Sequence, residues 1–174
     1  MTETIDPAPR SAPPSAADGD VPPGPPERTA WILGLAGLVP FVLMTAALLY
    51  AGRAFIAYDF LILALSGYGA AILSFLGGIR WGAAIERPDG LHTRRALVGS
   101  VLPSLLGWAM LLVPVPYNLA GLALGFALQG LWDVRATRSG ALPPWFATLR
   151  IALTVVVMLC LAASFAVLFL SPAA

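Results

Sequence analysis

The chain has 174 residues, 59% of them hydrophobic and 11% charged, with a formal net charge of +1 and a mean hydropathy of +0.84. Such a balance lies outside the range of soluble domains, carries no electrostatic footprint for nucleic acid, and leaves no room for a soluble catalytic domain beside a membrane domain. All ten basic residues are arginine, which together with abundant Ala, Gly and Pro reads as a GC-rich genome.

Residues 1–29 form an acidic, Pro/Ala-rich tail. Pro7, Pro9, Pro13, Pro14, Pro22, Pro23, Pro25 and Pro26 interrupt small residues and acids with almost no large apolar side chains. A segment that buries so little surface cannot offset the entropy of ordering, so a disordered tether is expected. It lacks the basic start of a secretory signal and the Arg-rich, acid-poor character of a mitochondrial presequence.

Five apolar stretches follow, at about 30–50, 59–79, 96–113, 117–132 and 147–170, with a short tail at 171–174. Most approach the ~20 residues needed to cross a bilayer core about 30 Å thick. The expected fold is therefore an all-α integral membrane protein, a bundle of five transmembrane helices. The connecting segments alternate between two sides. Arg10, Arg28, Arg80, Arg87, Arg94, Arg95, Arg135, Arg138 and Arg150 fall on one side, against Arg53 alone on the other. By the positive-inside rule the arginine-rich side is cytoplasmic, which puts the N-terminus inside and the C-terminus outside. Trp31, Trp81, Trp132 and Trp145 lie where spans meet the arginine-rich side, and Tyr50, Tyr58 and Tyr117 where they meet the other. These rings suit the headgroup level, whereas Trp108 and Tyr68 fall inside spans and are expected to pack in the core.

Small residues recur at helical spacing. Ser66, Ala70, Ser74, Gly78 and Gly82 form a ridge in the second stretch, and Gly121 and Gly125 a GxxxG in the fourth. Lipid tails are as apolar as Leu, so spans gain from pairing mainly where small residues let backbones approach closely and gain dispersion attraction. Both stretches run in the same direction and are expected to pack as a parallel pair. Pro40 and Pro103 remove backbone donors inside the first and third stretches, and Ser100 and Ser104 flank the second of these kinks.

Polar candidates are few. Asp59 opens the second stretch, where a carboxylate caps exposed N–H groups, with Arg53 near across the loop. Asp133 closes the fourth stretch, where an acid opposes the helix dipole and needs compensation. Arg135, Arg138 and Arg80 are the candidate partners. Arg80 lies well around its helix from Gly78, so pairing with Asp133 competes with packing of the small ridges, and snorkelling to the headgroups beside Trp81 is the favoured expectation. Gln129 continues the row of Gly121 and Gly125 towards Asp133. His92 is the lone histidine and Cys160 the lone cysteine, with no phosphate loop, HExxH or GxSxG. No catalytic, cofactor or metal site is therefore expected, and no enzyme.

The run Ser74-Phe75-Leu76-Gly77-Gly78-Ile79-Arg80-Trp81-Gly82 resembles the signature of the transmembrane protein 69 family, a domain of unknown function. The runs beginning at Gly34, Ser100 and Pro144 are also similar. The resemblance covers residues 30 to about 170 and implies a small multi-span protein of bacterial membranes, with relatives in the mitochondrial inner membrane. It implies no substrate or reaction. The expected location is the bacterial inner membrane, with the lipid bilayer, other membrane proteins or a second copy as partners. Two functions stay open. One is a non-enzymatic component that assists the assembly or organisation of other membrane proteins. The other is a small-solute carrier or channel, using Ser66, Ser74, Ser100, Ser104 and Gln129 as a polar path.

Overall fold

The computed structural model describes residues 26–51, 55–86, 91–138, 140 and 142–170. Among these, all regular structure is helical: α1 (Pro26–Ala51), α2 (Tyr58–Glu86), α3 (Leu91–Leu111), α4 (Tyr117–Arg138) and α5 (Pro144–Leu170). Residues 1–25, where most of the acidic tail falls, and Arg53 and Arg87 lie outside the described residues.

The helix boundaries follow simple chemistry. Pro26 and Pro144 open α1 and α5, where a missing N–H costs nothing and a fixed φ suits the first turn. Thus α1 starts four residues before the apolar stretch does. Tyr58 and Asp59 open α2 after a turn in which Tyr58 N–H donates to Phe55 O at 3.0 Å. Between α4 and α5, Gly140 holds φ at 77° and its N–H closes on Thr137 O at 3.1 Å. A side chain at that φ would be strained, so glycine suits the position.

Three helices are long and apolar enough to cross a membrane: Glu27–Tyr50, Tyr58–Glu86 and Pro144–Leu170. The other two, α3 and α4, are shorter and less apolar. Large apolar side chains cover the outside, including Leu33, Phe60, Phe75, Val98, Leu124 and Leu159. An exterior of this kind is expected of a helix bundle in lipid.

The helices form a ring. α2 packs on α3 and α4 on α5 as two hairpins, α1 touches both α2 and α5, and α2 also meets α4 across the middle. The centre is filled by Phe41, Leu65, Leu73, Leu122, Phe126 and Leu161. Phe41 sets its ring edge-on to both Tyr68 and Phe126, at centroid separations of 5.1 and 5.8 Å.

The small ridge of α2 is only partly as expected. Ser66 and Ala70 are buried, and Gly107 of α3 packs its backbone on Ala70. Gly78 and Gly82, however, face outward, and a Cβ on either would meet nothing within 4 Å. Gly77 takes the packed position instead, against the backbone of Ser100 and the ring of Pro103. Steps of four residues rotate about 40° per step on a helix of ~3.6 residues per turn. Over the five members of the row the drift approaches ~160°, so its far end leaves the interface.

The GxxxG of α4 packs mainly on α3. A Cβ on Gly121 would collide with Met110, and one on Gly125 would lie 2.9 Å from Leu106 and 2.8 Å from Leu73 of α2. Contacts between α2 and α4 exist, as the parallel-pair expectation requires, but α3 inserts against the same small residues.

Two aromatic expectations are reversed. Trp108 is 62% exposed, because α3 turns Ser100, Pro103 and Gly107 towards α2 and its own neighbour position outward. Tyr58 is 5% exposed and belongs to the core. Val157 of α5 is likewise buried.

Candidate functional site

The α4–α5 hairpin brings together the buried charges. The loop between the helices is short, so positions equally far from it face one another. Asp133 and Arg150 meet in this way, the Arg150 Nε donating to Asp133 Oδ2 at 2.8 Å. One turn deeper, Gly130 faces Thr154, where a Cβ would lie 2.9 Å from the Thr154 hydroxyl oxygen. The missing side chain at Gly130 lets α5 come close enough for the ion pair to form.

The second Asp133 oxygen accepts a bond from Gln129 Nε2 at 3.1 Å, one helical turn back on α4. Asp133, Gln129 and Arg150 are all buried, at 2%, 3% and 5% exposure. An ion pair so deeply buried holds together only if it is well aligned and further hydrogen bonds satisfy its oxygens. Here both carboxylate oxygens are bonded. The donors are less fully used: Arg150 Nη2 and the Thr154 hydroxyl are buried without a partner.

Arg80 makes no ion pair with Asp133, whose partner is Arg150. Its guanidinium lies over the ring of Trp132, 4.6 Å from the centroid, while Nε is buried and unpartnered. Trp132 in turn sits against Gly99 of α3, where a Cβ would be 2.7 Å from the indole. The stack joins α2, α4 and α3 through one cation–π contact. Trp81, the expected companion of Arg80, is 45% exposed and points away from the bundle core. Arg135 and Arg138, the other candidate partners of Asp133, are exposed.

The remaining polar candidates do not converge. Asp59 is exposed in the first turn of α2. Ser74 donates back to Ala70 O at 2.9 Å, and Ser100 to Leu97 O at 2.7 Å, within their own helices. Ser104 is half-buried beside Pro103. Ser66 accepts a bond from the Asn118 Nδ2 at 2.9 Å, tying α2 to the start of α4. Of the polar path expected along Ser66, Ser74, Ser100, Ser104 and Gln129, four members, all but Ser104, are held in separate local bonds.

Sequence reasoning passed over three residues. Arg150 counts there only as one of nine arginines on a side, yet it is the partner of Asp133. The signal was available, because a hairpin with a short loop places 133 and 150 opposite each other. Asn118 is a polar residue at a helix start that reads as a cap, and its Oδ1 does accept from Leu119 N–H at 2.8 Å. Its amide also reaches another helix. The third is Thr45 of α1, whose hydroxyl lies 3.2 Å from that of Ser164 on α5. Nothing in the spacing of α1 and α5 reveals that pair. Among the described residues, no cluster of His, Cys, Asp and Glu is arranged to hold a metal ion.

A ring of apolar-faced helices, locked inside by an ion pair and a few hydroxyl and amide bonds, defines a helical membrane protein. The comparisons agree. A family described as "Protein of unknown function (DUF3429)" matches residues 26–166, and the chain belongs to it. It is similar to the Transmembrane protein 69 of Xenopus tropicalis, 38% identical over 146 residues that make up 79% of this chain and 53% of the relative. It is also similar to the Transmembrane protein 69 of Mus musculus, 32% identical over 134 residues, or 74% of this chain and 52% of the relative. The chain spans about half the length of these curated relatives. No solved structure matches.

Proposed function

We propose that this chain is a non-enzymatic component of the bacterial inner membrane that assists the assembly or organisation of other membrane proteins. All five helices span the bilayer in this reading, with the N-terminus cytoplasmic and the C-terminus outside. The arginine distribution supports that orientation. The observation that carries the functional reading is how the interior polar groups are used. Ser66 with Asn118, Thr45 with Ser164, and Asp133 with Gln129 and Arg150 all bond from helix to helix or within the lock. They brace the bundle. A carrier needs such groups left facing a path, and usually places ionisable residues at the midplane. Contact with a partner would run through the apolar exterior or through Arg94, Arg95, Arg135 and Arg138, which are exposed at one end.

Affinity purification from native membranes in mild detergent tests the reading. A reproducible membrane-protein partner, lost when those four arginines are changed to glutamine, is expected. A homo-oligomer alone, with a bound solute, would favour the carrier reading. Orientation is checked separately in a chain whose Cys160 is replaced by alanine. A cysteine at Val115 should be labelled from outside intact cells and one at Arg138 should not; the reverse pattern overturns the orientation.

A further inference from the structure

α1, α2 and α5 leave a groove of about 340 Å³ between them, with Phe126 of α4 also lining it. Ligand pockets run from about 300 to 1,000 Å³, so this one has room for a single chain. On α1 its lining extends from Ala30 to Phe41. Eleven residue steps of helix rise ~16 Å, about half of a ~30 Å bilayer core. The groove is therefore one leaflet deep. It begins at the level of Arg150, in the second turn of α5, and ends among aromatic rings at mid-bundle. Phe75 at its rim is 64% exposed, so a second chain of the same molecule has an apolar surface to lie on outside.

Arg150 and Thr154 are the two polar residues among those lining the groove. They stand one turn apart on α5, and Arg150 Nη2 and the Thr154 hydroxyl are two of the three buried side-chain groups left without partners among the described residues, Arg80 Nε being the third. Charge at this end is also unbalanced. Arg80 and Arg150 bring two positive charges into the bundle against the single carboxylate of Asp133. One further anion would balance the group, and phosphate oxygens supply the acceptors that a guanidinium and a hydroxyl need.

We propose that the groove binds one acyl chain of an anionic phospholipid from the leaflet on the arginine-rich side, with its phosphate towards Arg150 and Thr154. The inference rests only on the chain being a membrane protein, so its failure would leave the assembly reading standing.

Native mass spectrometry of the full chain tests it, after purification in detergent containing equal amounts of phosphatidylglycerol and phosphatidylcholine. One phosphatidylglycerol per wild-type chain is expected, in clear excess over phosphatidylcholine. Gly37→Leu fills the groove, while a Cβ at that position meets only the Tyr68 hydroxyl, at 3.9 Å. It should lower retained phosphatidylglycerol about tenfold with no fall in melting temperature. Thr154→Val removes a hydroxyl that has no partner in the protein, so it should leave stability intact and reduce the preference for phosphatidylglycerol. Equal retention of the two lipids by wild type, undiminished retention by Gly37→Leu, or a retained free fatty acid in place of phospholipid would each overturn the proposal.

Discussion

The two ends of the bundle are held together by different chemistry. At the arginine-rich end the ties are charged: Arg150 with Asp133, and Arg80 over Trp132. Towards the other end they are neutral: Asn118 with Ser66, and Thr45 with Ser164. A neutral hydrogen bond between helices in a membrane contributes little, averaging about 0.6 kcal/mol, because the separated helices find other partners. A charged group left alone in the bundle has no such recourse. The charged end is therefore the one whose loss is costly, and the neutral end is a set of small, replaceable adjustments to fit.

That contrast is broken most directly at Asp133. Asp133→Ala leaves the Arg150 guanidinium buried and unopposed, a situation that costs about 3–5 kcal/mol. A large fall in thermal stability in detergent is expected. The double change Asp133→Leu with Arg150→Met should recover most of it, since removing both charges is far less harmful than removing one. A double variant as unstable as Asp133→Ala would show that the pair is not the source of the loss.

Close packing comes next. Gly125→Leu forces a side chain between Leu73 and Leu106, and overpacking of this kind costs about 1–3 kcal/mol. Gly78→Leu meets open space and should leave the melting temperature unchanged or raise it slightly. A cost at Gly78 equal to that at Gly125 would put the far end of the ridge back at an interface.

Smaller effects follow at Arg80 and Thr45. Arg80→Ala removes the stack on Trp132 and should cost about 0.5–2 kcal/mol, with Arg80→Lys closer to wild type, because an ammonium can also sit over an indole. A cycle of single and double variants should give weaker coupling between Arg80 and Asp133 than between Arg150 and Asp133. Thr45→Val should cost about 0.6 kcal/mol, the least among the changes that remove a tie. A loss at Thr45 as great as at Asp133 would erase the difference between the two ends.

The five helices and their approximate limits were legible from runs of apolar residues alone, because lipid permits few alternatives for backbone polar groups. Which face of each helix turns inward was much less so. Spans that are apolar all round carry no amphipathic stripe, and so Trp108 and Val157 gave no sign of their orientation. The small residues of α2 marked the packed face correctly at Ser66 and Ala70 and misled at Gly78, where the row had already rotated away. At the site, the demand of Asp133 for a counter-charge was legible and its partner was not. Proximity in sequence favoured Arg135 and Arg138, and proximity in depth Arg80; the short hairpin loop, which aligns 133 with 150, decided the matter.

The ring of helices also has a seam with its own timing. α1 runs alongside α5 and α2 and reaches α4 only through the ring of Phe41 on Phe126, and the Thr45–Ser164 bond joins positions 119 residues apart. Chains are synthesised from the N-terminus at about 5–20 residues per second, so α1 must wait several seconds for the helix that covers its inner face. In that interval the hydroxyl of Thr45 and the face at Gly34, against which Leu149 and Leu153 of α5 later pack, are open to whatever else occupies the membrane. Of the five helices, α5 is the last to emerge, and its arrival seats the clasp that turns an open arc into a closed circle.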